Sequence, residues 1–295
     1  MKGLAEFVMR GRFQALLLTV AGAGSLMFCW ISAAVIALVT LRKGAGQGAW
    51  LLLWALLPSG LLLYAYGDSG PLALLLGTTV LALVLRATVN LPLAVLGSVV
   101  VGGVTGLGLM AFAADYLAVI AGGLGEFLAE MEAQLSQGSE QAVQLARPTA
   151  AQIAGMLGAG TGMTSVLCLL LARYWQAALY NPGGFGDEFR ALRYPLAVSS
   201  VLAVASIALA SLGLQYRTWA VIALLPLTFA GLALVHARVR HREQGMGWLT
   251  GFYAAWLLLD PVKILVVGIA IADSWFDFRQ RWSNGTDGGE PRDDE

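Results

Sequence analysis

Two histidines and two cysteines leave this chain almost nothing from which to build a metal centre or a nucleophilic site. His236 and His241 share one basic segment, where lipid-headgroup contact or plain solvation accounts for them, and Cys29 and Cys168 each lie inside an apolar run. No Ser-His-Asp or Cys-His pairing and no His-Glu-x-x-His can be assembled from them. The cysteines are read as small apolar packing residues rather than a redox or metal pair. The chain is therefore expected to be no enzyme, with no catalytic residues, no metal and no cofactor. Charge is equally scarce: 12% of residues are Asp, Glu, Lys or Arg, where an average soluble domain has about 25%. The net charge is zero, and no nucleic-acid partner is expected.

What the chain has instead is uncharged length. Residues 13–41 hold no charge over 29 positions, 91–114 none over 24, 150–172 and 194–216 none over 23, and 218–235 none over 18. A helix crosses the hydrocarbon in about 20 residues. The fold class is thus an all-α, polytopic transmembrane bundle of about eight membrane-embedded blocks, with the lipid bilayer as its first partner. Residues 1–281 form one integral membrane domain. The acidic, Gly-rich tail 282–295 is expected to be disordered.

Residues 13–41 as one helix would measure about 43 Å, more than the hydrocarbon needs, and Ala21-Gly22-Ala23-Gly24-Ser25 lies in the middle. Two short passes broken near Gly24 are expected, with one tilted, kinked helix as the alternative. The basic start before an Ala-Gly-Ala triplet mimics a signal peptide, but the apolar run continues past it, which favours an uncleaved segment. Blocks at 50–66 and 71–85 flank a tight turn at Gly67-Asp68-Ser69-Gly70. The glycine-rich run 92–114 is closed by Asp115 at its outer end. Residues 122–149 read as a periplasmic amphipathic segment, with Leu124, Leu128, Met131 and Leu135 at helical spacing. Residues 173–195 read as a long cytoplasmic loop, and 196–214 with 218–235 as a hairpin. The last block, 248–272, is interrupted by Asp260-Pro261 and Lys263.

Basic residues in short loops set orientation. The loops at Arg42-Lys43, Arg86, Arg173 to Arg193 and Arg238 to Arg242 carry nine, against two in the loops between them. The basic loops, and the N-terminus with Lys2, Arg10 and Arg12, are placed in the cytoplasm. That requires the first block to go in and out again. The side of the C-terminus depends on whether 248–272 is one span or a broken one.

Four groups of residues are candidate sites. Gly102 with Gly106 and Gly158 with Gly162 have the Gly-x-x-x-Gly spacing that brings helix backbones close, for packing within the bundle, a dimer, or a thin-walled cavity. Asp260 and Lys263 lie one turn apart in an apolar block, as a pathway site or a mutually neutralising buried pair, and Asp115 is a further pathway candidate. The string Asn181-Pro182-Gly183-Gly184-Phe185, with Asp187, Glu188 and Arg190, is a cytoplasmic contact surface. It lacks the Gly-Lys-Ser/Thr ending of a phosphate loop.

The strings from Ala172-Arg173-Tyr174-Trp175-Gln176-Ala177 to Glu188-Phe189-Arg190, and from Ala272-Asp273-Ser274-Trp275 to Phe276-Asp277-Phe278-Arg279, resemble the YybS-like family of bacterial polytopic membrane proteins. That family is distantly similar to the substrate-binding S components of energy-coupling-factor transporters. The resemblance covers about residues 1–281. It implies a bacterial inner-membrane location and helices around a central cavity. It also implies a small-molecule ligand and a docking face of small residues on the first helix, which Ala15, Thr19 and Ala23 match in spacing. Function is accordingly expected to be solute binding or transport-related. The alternative is a membrane scaffold or assembly factor that recruits another membrane protein. The oligomeric state is left open.

Overall fold

Helix ends in this chain fall where glycine permits a reversal or where charge reaches an interface. Gly44 (φ +118°) and Gly67 (φ +69°) hold left-handed backbone that a side chain would strain, and each separates two helices. The structure is a computed structural model describing residues 2–136, 144–243 and 245–284, and every regular element in them is helical.

Five helical stretches are long and apolar enough to cross a bilayer: Ala45–Tyr66, Gly70–Thr88, Leu91–Phe112, Ala150–Tyr180 and Leu214–His241. A sixth element of that character is bent by 112° between Gly247–Leu258 and Asp260–Phe276. Arg12–Ala23 and Leu196–Ser211 are apolar but shorter. The outside of the bundle is apolar too, with Leu61, Val104, Leu107, Val201, Ile207 and Leu258 all exposed. A surface of that kind belongs against lipid.

The amphipathic α1 (Lys2–Arg10) lies beside α2 (Arg12–Ala23). α2 stops at Ala23, residues 24–28 turn, and α3 (Cys29–Lys43) runs back. The break expected near Gly24 is present. Ser32 Oγ donates to the Thr19 carbonyl at 2.7 Å across this hairpin. Every residue of α3 from Ser32 to Leu41 is buried, against α2, α4 (Ala45–Tyr66), α5 (Gly70–Thr88) and α9 (Ala150–Tyr180). The centre of the bundle is therefore filled by α3 where the resemblance implies a cavity. The small-residue face of α2 is consumed in the same packing: Ala15, Thr19 and Ala23 are all buried within the chain and are no free docking face.

Residues 91–112 divide into α6 (Leu91–Leu96) and α7 (Ser98–Phe112), and α8 (Ala114–Ser136) starts a new helix. Asp115 thus stands exposed in the first turn of α8 rather than closing the preceding helix. The amphipathic element begins at Ala114, eight residues before the expected 122. Its continuation through 137–143 lies outside the described residues, as do residues 285–295 of the acidic tail.

The glycine pairs pack α7 on α9 within one chain. A Cβ on Gly102 would lie 2.9 Å from the Gly158 carbonyl oxygen, and one on Gly106 would lie 3.0 Å from that of Ala154. A Cβ on Gly158 would collide with the Gly102 carbonyl, and one on Gly162 would lie 3.0 Å from that of Ser98. Gly103 and Gly108 of the same helix face open space. At about 100° per residue, Gly103 is turned about 80° and Gly108 about 140° away from the Gly102–Gly106 stripe.

The expected loop 173–195 is mostly helix. α9 continues to Tyr180 because Trp175 and Ala177 are buried, so the 3.6-residue packing stripe outlasts the apolar composition. α10 (Gly184–Arg190) follows, then α11 (Leu196–Ser211) and α12 (Arg217–His241). His236 is accordingly a helix residue whose Nδ1 lies 2.9 Å from the Leu232 carbonyl, and its ring packs on Phe189 and Tyr253. It is not a solvated loop side chain.

The last block is an elbow: α13 (Met246–Leu258), a break at Leu259, then α14 (Asp260–Phe276) and α15 (Phe278–Asn284). Lys263 Nζ lies 2.8 Å from Asp260 Oδ1, so the pair forms. It is not buried in the protein: the Asp260 side chain is 86% exposed, on the outside of the elbow.

Candidate functional site

The basic groups gather at one end. Arg86 Nη1 donates to the Thr40 and Leu41 carbonyls at 3.1 and 2.7 Å, satisfying the open end of α3. The Arg42 guanidinium sits 3.9 Å above the Tyr180 ring, Lys43 Nζ reaches the Met9 carbonyl at 3.4 Å, and Arg238 lies over Trp282. The N-terminal helix, the ends of α3, α5, α9 and α12, and α15 therefore share this end. Asp68 marks the opposite end, where it accepts from the Tyr116 hydroxyl at 3.1 Å. Burial, and then the Asp68 charge, push that phenol up to about 12.

At the basic end the two distinctive strings, 172–190 and 272–279, are clasped together. α14 stops because Asp277 turns left-handed, at φ +43°. Asp273, 4% exposed and one turn earlier, accepts from the Phe278 N–H at 3.1 Å and so caps the start of α15. Among the described residues it is the one fully buried charged side chain. Arg279 returns over it. Its Nη1 donates to the Arg190 carbonyl at 2.5 Å and its Nη2 to the Leu192 carbonyl at 2.9 Å. Its Nε lies 3.4 Å from Asp273 Oδ2, an ion pair without hydrogen-bond geometry. Burial lowers the Arg279 pKa and the Asp273 charge opposes that, so the cation persists.

A second tie lies beside the first. Arg193 Nη1 donates to Asp277 Oδ2 at 2.8 Å, which holds the Asp277 carboxyl below its ordinary value. Tyr194 is buried and donates to the Pro92 carbonyl at 2.9 Å, with burial raising its pKa. Ser199 and Ser274 share a hydroxyl–hydroxyl bond of 2.7 Å. These groups border a cleft of 540 Å³, into which Asn90, Arg193, Asp273, Ser274 and Asp277 converge.

α10 is fixed from its other side. Asn181 ends α9, Gly183 (φ +91°) reverses the chain, and Phe185 packs between Tyr174 and Phe189. Arg173 Nε donates to Glu188 Oε2 at 2.7 Å, and Arg190 Nη2 to Asp187 Oδ1 at 2.6 Å. Asn181, Pro182, Gly183 and Asp187 remain exposed, with Gly184 half-buried behind them. Beside them is a recess of 650 Å³ that also meets Tyr174, Arg190 and Arg240. Residues 181–190 thus form a braced platform with a recess on one side and the polar cleft near its base.

Asp260 and Lys263 at the elbow, Asp115 at the far end and the α7–α9 glycines take no part in this cluster. Sequence reasoning missed Arg193, Asp273, Asp277 and Arg279 as a unit. The signal was present: acid, aromatic and base alternate in Asp273-Ser274-Trp275-Phe276-Asp277-Phe278-Arg279, directly after an apolar run. No group of three or more metal-ligating side chains gathers among the described residues. No protein-family model, curated protein or solved structure matches the chain.

Proposed function

We propose that this protein is a non-enzymatic, multi-pass membrane scaffold that recruits a protein partner through its basic end. The observation that carries this reading is the clasp of Arg279 on the Arg190 and Leu192 carbonyls. It stiffens an exposed platform at 181–190, while the buried α3 occupies the centre of the bundle. Ordering before binding lowers the entropic cost of recognition. A rigid surface with aromatic and arginine groups beside a recess suits a protein partner. The reading places the chain in a bacterial inner membrane, with the eight-block arrangement, the N-terminus and the platform in the cytoplasm, by the excess of basic residues at that end.

Solute binding, in keeping with the resemblance to S components, is the second reading. The observation in its favour is the 540 Å³ cleft with five convergent polar side chains. Site-specific photocrosslinking in membranes separates the two. A crosslinker at Pro182 or Asp187 should give one saturable protein adduct, absent from a crosslinker at Gly213 and lost in Arg279→Gln. Equal, diffuse adducts at both ends would overturn recruitment. A small molecule that co-purifies with the protein and is lost in Arg193→Gln would establish the solute reading instead.

A further inference from the structure

Between α2, α3 and α4 at the basic end lies a cavity of 240 Å³ lined by Arg12, Lys43, Gln47 and Trp50, with no acidic side chain. None of the seven ion pairs among the described residues uses Arg12 or Lys43. Lys43 makes one long bond, 3.4 Å, to the Met9 carbonyl, so two of its three protons are uncommitted. Two cations without a carboxylate partner and an amide donor lining one cavity make a site for an anion.

Two of these helices, α2 and α4, together with Phe7 of α1, also border an apolar groove of 680 Å³ that meets Phe13, Leu17, Val20 and Trp54. The groove is open to the outside, with Phe13 84% and Leu17 67% exposed. Cavity and groove adjoin: Arg12 and Phe13 are consecutive, and Trp50 and Trp54, one turn apart on α4, touch edge to face at 6.3 Å between ring centroids. Trp50 lies in the second turn of α4, close to the basic end, and tryptophan is enriched at the lipid–water boundary of membrane proteins. A cationic cavity at the headgroup level that opens into an apolar trough along the bilayer has the shape and charge of one amphiphile.

We propose that this is a binding site for an anionic phospholipid. Its phosphate is held by Arg12, Lys43 and Gln47, and one acyl chain lies along the groove between α2 and α4. The cations select against zwitterionic headgroups, whose own ammonium would be brought against Arg12 and Lys43. The groove selects for a lipid over a free phosphate.

The test uses the full chain in nanodiscs and by native mass spectrometry, with phosphatidylglycerol and phosphatidylcholine as probes. Phosphatidylglycerol should be retained on the wild-type protein at least about tenfold better than phosphatidylcholine. Arg12→Gln with Lys43→Gln should abolish the preference, and Leu17→Asn should weaken retention of both lipids. Circular dichroism melting in phosphatidylcholine discs checks that the variants fold; Arg12→Gln alone, at an exposed position, serves if the double variant does not. Equal retention of the two lipids by the wild type would overturn the site. So would an unchanged preference in the folded variant, or inorganic phosphate displacing phosphatidylglycerol at equal concentration.

Discussion

Arg279 donates from Nη2 to the carbonyl of Leu192, 87 residues earlier in the chain, at 2.9 Å. The same guanidinium faces the buried Asp273. One side chain therefore closes the last membrane element onto the segment between α10 and α11, and holds the platform's far end in place.

Arg279→Gln should remove both the clasp and the partner of a buried carboxylate, at a cost of about 3 kcal/mol. Adding Asp273→Asn should return part of that loss, because the unpaired charge is then gone. Chemical denaturation of the two variants in detergent measures both. A double variant less stable than Arg279→Gln would mean that the Asp273 cap on Phe278, and not its pairing, sets the cost.

The Arg193–Asp277 tie has a definite pH signature. The Asp277 carboxyl lies below its ordinary value of 3.8 mainly through the hydrogen bond from Arg193. A depressed carboxyl favours the folded state at neutral pH, and that contribution fades as pH falls below about 4 through the folded value. Thermal unfolding should show wild type above Asp277→Asn at pH 7, with the two curves converging toward pH 3. A constant gap over that range would rule out the tie as its cause.

The α7–α9 contact predicts a sharp positional contrast. Leucine at Gly102 or Gly106 meets a backbone carbonyl of α9 and should destabilise by at least about 1–3 kcal/mol. Leucine at Gly103 or Gly108, which face open space, should leave the melting temperature within a degree or two of wild type. Loss of stability at all four positions would point to an added contact on the outer face of α7, such as a second copy of the chain.

At the elbow, Asp260 and Lys263 pair on a surface where Leu258, Leu259, Ile264 and Leu265 are also exposed. An apolar surround of that kind belongs to lipid, where a lone charge is costly and a pair less so. Lys263→Met should therefore lower the yield of inserted protein more than Lys263→Met combined with Asp260→Leu. Insertion assays in membranes read this directly, and small additive effects would place the elbow in water.

Orientation is testable by thiol labelling in a Cys29→Ser, Cys168→Ser background. Cysteine at Pro182 should react only from the cytoplasmic side, and cysteine at Gly213 only from outside. The reverse pattern would invert the bundle.

The sequence by itself determined that the chain is helical and built for a bilayer. Uncharged runs of 18 to 29 residues admit little else, because only helices satisfy the backbone locally within hydrocarbon. It also pointed to a break near Gly24, through excess length, and to a close approach at the paired glycines, through spacing, while leaving packing within the chain, a dimer and a cavity wall open. Three things were decided only by the tertiary structure. Whether residues 173–180 are loop or helix rested on Trp175 finding a buried place, which composition does not encode. The last block bends back to the basic end because Arg193 and the Arg190 and Leu192 carbonyls await its far end. Asp273 reads in sequence as one acid just past an apolar run. It becomes a buried cap and counter-ion only when Phe278 and Arg279 fold over it, and Arg279 is held there by the Leu192 carbonyl, 87 residues earlier, which no local pattern specifies.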